Sequence, residues 1–120
     1  MIFSKTMLKV NGNIHFVDPL QILYIRAESS YTVVKLANNE EIKISKNLKY
    51  VYAQFLDQGF LFRSHKSFVV NLHFVVKLIT TMENLSSSAM IQMSNGEQIL
   101  LSNRNKASFL SAIRNQGELV

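Results

Sequence analysis

The 120-residue chain has no cysteine and no tryptophan, one proline and four glycines. Without cysteine there is no disulfide scaffold, no thiolate zinc site and no cysteine nucleophile, and a reducing compartment fits. With so little proline and glycine and 48% hydrophobic residues, the composition excludes a disordered or collagen-like chain. No apolar run approaches the roughly 18 residues of a membrane helix. The start, Met1-Ile2-Phe3-Ser4-Lys5, lacks the apolar core of a signal peptide. The expectation is a single domain over residues 1–120, large enough to bury a core, in the cytoplasm.

Acidic side chains are the next scarcity. Thirteen Lys and Arg face eight Asp and Glu, a net charge of +5. Residues 1–41 carry four of each sign and are neutral, whereas residues 42–114 carry nine basic against three acidic side chains, a net of +6. A basic segment on a small domain points to a polyanionic partner, most often nucleic acid.

Apolar runs punctuated by turn residues give the organisation. Met7–Val10 and Ile14–Val17 flank Asn11-Gly12-Asn13, a hairpin signal, and Asp18-Pro19 breaks the run. Ile22–Ile25 reads as a buried strand, with Tyr31–Leu36 and Glu41–Ser45 as strands joined by an Asn38-Asn39 turn. Leu48, Val51, Tyr52, Phe55 and Leu56 fall at helical spacing behind a capping Asn47, with Gly59 as the stop. Phe60–Phe62, Phe68–Val70, Phe74–Thr80, Ala89–Met93 and Gln98–Leu101 are strand-like, the last two forming a hairpin around Asn95-Gly96. Ser102 caps a helix over 103–115 with Phe109, Leu110 and Ile113 on its apolar face. The pattern predicts a mainly β fold with one internal and one C-terminal helix.

Signals for catalysis are missing. His15, His65 and His73 show no metal-ligand spacing. Ser64 and His65, adjacent on a strand, point to opposite faces and cannot work as nucleophile and base. There is no nucleophile elbow, P-loop or dinucleotide fingerprint, and no carboxylate sits in an apolar run. A protein that is not an enzyme and needs no cofactor is expected. Three polar, basic spots remain: Ser29-Ser30-Tyr31, Arg63-Ser64-His65-Lys66-Ser67 and Ser102-Asn103-Arg104-Asn105-Lys106. Each alone reads more readily as a solvated loop. Together they offer donors for phosphate and side chains able to reach base edges, with Lys43, Lys46 and Lys49 as further phosphate contacts. A basic protein-interaction module and an RNA binder are the competing readings. Most of the twelve Phe and Tyr residues sit in core-like runs, which weighs against an RNA-stacking platform.

Ile22-Leu23-Tyr24-Ile25 followed by Ser30-Tyr31, Lys46-Asn47-Leu48 opening a helix, the run Phe62 to Asn71, and Leu101-Ser102-Asn103-Arg104 together resemble the LytTR-type DNA-binding domain of bacterial transcriptional regulators. The run from Phe62 to Asn71 looks like an F-x-R-x-H-x-S-x-x-V-N pattern compressed by one spacing, and the resemblance covers residues 6–115. It implies a compact stack of small antiparallel sheets with two short helices, whose loops enter successive major grooves of double-stranded DNA. By position it implies base reading by Ser30 or Tyr31, Lys66 and Arg104. Phosphate contacts fall to Arg63, His65, Ser67, Asn105 and Lys106, with Lys46 and Asn47 as weaker ones. Asn71 matches a position expected to fix a turn rather than to read DNA. The first loop departs from the family, since some members carry a basic or amide residue where this chain has Ser29-Ser30-Tyr31. The resemblance further implies repeated promoter sites, a homodimer on DNA and a receiver domain or regulatory protein upstream. A receiver domain has no room in 120 residues, so the chain reads as a stand-alone regulator or as the C-terminal domain of a longer one.

Overall fold

A computed structural model describes residues 5–80 and 89–117. The N-terminal residues read above for a leader, 1–4, lie outside that description. Strands β1 (Thr6–Val10) and β2 (Asn13–Val17) form a two-stranded ribbon. Strands β3 (Ile22–Glu28), β4 (Tyr31–Leu36), β5 (Glu41–Ile44), β6 (Leu61–His65) and β7 (Phe68–Asn71) form one antiparallel sheet in the order β5-β4-β3-β7-β6. Strands β8 (Val75–Ile79), β9 (Ala89–Met93) and β10 (Gln98–Leu101) form a third sheet, ordered β10-β9-β8. Helix α1 (Leu48–Ala53) follows β5, and α2 (Lys106–Gly117) follows β10 through a 3₁₀ turn at Asn103–Asn105.

Among the described residues the mainly β fold is therefore present, as three antiparallel sheets and two helices. Its hairpins obey their turn residues: Asn11 and Gly12 take φ of 51° and 85°, and Gly96 takes 92°, the left-handed region that Asn and Gly tolerate. The five-stranded sheet is covered on both faces. Ile25, Val34, Ile42, Ile44 and Val69 pack against Leu8 and Val17 of the ribbon and Leu48, Val51 and Phe55 of the α1 segment. On the other face Leu23, Tyr24 and Val70 pack against Ile91, Met93, Ile99, Leu101 and Phe109 of the third sheet and α2. Leu23 is unpaired where the β3–β4 register shifts, so Ile22, Leu23, Tyr24 and Ile25 are buried in succession, two to each core.

Several expectations need correction. Helix α1 ends at Ala53, six residues before Gly59, because the Phe55 and Gln58 N–H groups turn back to the carbonyls three residues earlier. The apolar spacing thus outlasts the helix, and Leu56 is 66% exposed. Leu110 is 44% exposed, whereas Phe109 beside it on α2 is 1% exposed and fills the core. Ser102 stands at the N-cap position without making the capping bond, and the first turn after it is 3₁₀ rather than α. The strand expected from Phe74 begins at Val75, since Leu72–Phe74 form a 3₁₀ turn.

Asn71 starts that turn. Its Nδ2 donates to the Ile22 carbonyl at 2.8 Å and its Oδ1 accepts from the His73 N–H at 2.9 Å, in a fully buried position. The amide thereby ties the end of β7 to the start of β3 and sets the direction of the chain into the third sheet. Asn71→Ala leaves a carbonyl and an N–H without these partners. A loss of about 1–3 kcal/mol of unfolding free energy is expected in urea denaturation. Phe109→Ala should cost more, about 3–5 kcal/mol, by emptying the second core.

Candidate nucleic-acid interface

Antiparallel pairing fixes where the three basic spots lie. Glu28 pairs with Tyr31, so the Ser29-Ser30 turn closes one end of β3 and β4. Phe68 pairs with Arg26, and the Ala27 N–H donates to the Ser67 carbonyl at 2.8 Å, so the Lys66-Ser67 turn closes the same end of β6 and β7. Ile44 pairs with Thr32, whose hydroxyl donates to the Lys46 carbonyl at 2.7 Å, which places Lys46 and Asn47 there too. The third spot arrives from the neighbouring sheet: the Ser102 N–H donates to the Ser64 carbonyl at 2.9 Å, with the Ser102 hydroxyl at 3.4 Å and Asn105 Nδ2 at 3.3 Å. From β5 to β6 this row spans about 19 Å at the usual spacing between strands.

Within the row, Arg63, His65, Lys66, Ser102, Arg104 and Asn105 line one open cleft of about 310 Å³. The second and third spots thus form a single surface. Ser30 and Tyr31 sit beyond it on the β3–β4 turn, where Ser29 takes a φ of 56° and Lys43 Nζ lies 5.3 Å from the centre of the Tyr31 ring. Lys46 Nζ lies 5.2 Å from the centre of the Tyr50 ring, while Asn47 Oδ1 accepts from the Tyr50 N–H at 2.8 Å and so caps α1. Glu28 brings a carboxylate to this end, and Arg26 pairs with it at 3.1 Å and with Glu41 at 3.3 Å. Those partners raise the Arg26 pKa despite the opposing effect of burial, which is the largest single influence. Tyr24, on the same face, donates to Glu97 at 2.8 Å and is pushed up to about 12 by burial and by that carboxylate.

The β6–β7 turn is built from its own side chains. Ser64 has no partner on β7, because the register shifts between Arg63 and His65. It is fully buried, its hydroxyl 3.5 Å from the Phe68 carbonyl, whereas His65 is half-buried and turned to the loop. His65 Nδ1 accepts from the Ser67 N–H at 3.1 Å, which leaves the ring proton on Nε2, free to donate to an anion. Arg63 Nε donates to the His65 carbonyl at 3.0 Å and Nη2 to the Lys66 carbonyl at 2.7 Å. Reading residues one at a time missed this bracing, along with the Ser64 carbonyl as the acceptor that joins Ser102 and Asn105 to β6. The arrangement offers cations and hydrogen-bond donors to an extended polyanion.

The family model of the LytTr DNA-binding domain matches residues 12–114. Among solved structures, the LytTr DNA-binding domain of a Bacillus cereus protein described as a methyl-accepting/DNA response regulator superposes with a TM-score of 0.71 at 21% identity, covering 92% of this chain and 96% of that one. A search of curated proteins finds no match.

Burial, then the neighbouring Lys66 and Arg63, lower the His65 pKa from 6.5. Below that value the unfolded chain binds the proton more readily than the native one, so native stability falls as pH drops through 6.5 towards the lower native pKa. His65→Gln keeps an acceptor but cannot titrate. Denaturation at a series of pH values should show a smaller acid-side loss for this variant than for the parent chain, and equal losses would remove His65 from the linkage.

Proposed function

This chain belongs to the LytTr family of DNA-binding domains, and we propose that it binds double-stranded DNA sequence-specifically through the cationic end of its five-stranded sheet. The observation carrying this reading is the convergence of three spots, separated by up to 75 positions between Ser29 and Arg104, on one row of turns. The row, about 19 Å long, is wider than the roughly 12 Å major groove and shorter than the roughly 34 Å from one major groove to the next, so loops entering successive grooves, as the family resemblance implies, would draw the duplex into a bend. Lys66 and Arg104 would read guanine acceptors, and Ser30 or Tyr31 would meet base edges from the first turn. His65 Nε2, Ser67, Asn105, Lys106, Lys46 and Asn47 would hold phosphates. Such contacts make affinity fall steeply with salt, and a rigid sheet reaching two grooves favours flexible steps between them.

In this role the chain acts by occupancy rather than catalysis, as a bacterial transcriptional regulator or as the output domain of a response regulator. Paired copies would sit as a homodimer on repeated promoter sites, under a receiver domain or another regulatory protein, in the cytoplasm. Selection of bound duplexes from a randomised pool, at two salt concentrations, tests the proposal. A short enriched motif recurring at helical-turn spacing supports it. Binding that fades with salt and enriches nothing would make the cations a polyanion footprint and favour a protein-interaction module. On the enriched duplex, Arg104→Ala should weaken binding by more than about tenfold with the fold intact, the worth of one bidentate base contact. An unchanged affinity would remove Arg104 from the readout.

A further inference from the structure

We propose that Arg63 is a positioning residue for base reading, holding the β6–β7 turn so that Lys66 is presented to DNA in one geometry, and is not itself a phosphate ligand. The inference rests on the DNA-reading function proposed above. One guanidinium reaches two successive carbonyls of the turn, His65 at 3.0 Å and Lys66 at 2.7 Å. The Ser67 N–H is held by His65 Nδ1 at 3.1 Å, and the Ser67 carbonyl by the Ala27 N–H at 2.8 Å. These four bonds fix the main chain on both sides of Lys66, leaving its exposed side chain to project. A turn ordered before binding has less freedom to lose when it meets DNA. Two donors already spent on backbone carbonyls are also withdrawn from phosphate.

Arginine is needed for this work because its planar fork spreads donors over two acceptors, which a lysine ammonium does not match. A phosphate contact, by contrast, survives exchange for lysine, since the charge is retained. The two roles therefore separate in Arg63→Lys. The experiment compares the full chain with Arg63→Lys, Arg63→Gln and Lys66→Ala, using the enriched duplex and a shuffled duplex of equal composition over a range of potassium chloride. Arg63→Lys should lose about tenfold of the preference for the enriched duplex, the worth of a charge-assisted hydrogen bond, while its salt dependence stays that of the parent. Combining it with Lys66→Ala should add little further loss.

Preference retained in Arg63→Lys would overturn the assignment. So would an equal weakening of both duplexes in Arg63→Gln, with a salt slope shallower by about one phosphate. The parent chain supplies a second readout that needs no variant to fold. The Arg63 Nε–H should exchange slowly in the free protein and keep its nitrogen chemical shift when the enriched duplex is added, while Arg104 shifts. A shift at Arg63 as large as that at Arg104 makes it a DNA ligand. A parent chain that shows no preference between the duplexes overturns the base-reading function, and the Arg63 role falls with it.

Discussion

The carbonyl oxygen of Ser64 is the point on which the geometry of the basic surface depends. It is free because the β6–β7 register skips this residue, and it is taken by Ser102 and Asn105 from the end of the third sheet. That contact closes the outer edge of β6, which would otherwise present unpaired backbone groups. It also sets the distance between the turn carrying Lys66 and the turn carrying Arg104. The second core holds the two sheets together, and this contact fixes their turns edge to edge in one cleft. At the opposite end of β7, Asn71 ties that strand to the start of β3 through the Ile22 carbonyl.

Charge is sorted along the strands. The turns at one end carry Lys46, Lys66 and Arg104, while Asp18, Glu40 and Glu41 line a cleft at the other end together with Lys5 and His15. Arg26, midway along β3, bridges Glu28 and Glu41 and keeps these carboxylates partnered on the sheet face. Potential of this form orients an approaching polyanion before contact. It raises the rate of productive encounter and disfavours docking by the carboxylate end.

Local features of the fold were legible in the sequence because they depend on neighbouring residues. Asn11-Gly12 and Asn95-Gly96 announced hairpins, and Tyr31–Leu36, Ala89–Met93 and Gln98–Leu101 matched their strands. The helical spacing through Leu56 and Leu110 misled, because periodicity says which residues could share a face but not whether anything covers it. The three basic spots were also legible as residue types. Their convergence was not, since it follows from β3 pairing with β7 across more than forty residues and from one backbone bond between sheets. Nor does spacing reveal that the Arg63 guanidinium turns back onto its own loop.

The strand order has a kinetic side. Strands β3, β4 and β5 form a meander whose pairings are all local, as do β6 and β7 between themselves. Joining the two requires Tyr24 to find Val70, which closes a long loop containing α1 and carries the larger entropic cost. The row of turns straddles that join, with Ser30 on one hairpin and Lys66 on the other. The row of turns is complete only once that pairing is made, and a chain with its hairpins formed but unjoined would carry all its cations without the common surface.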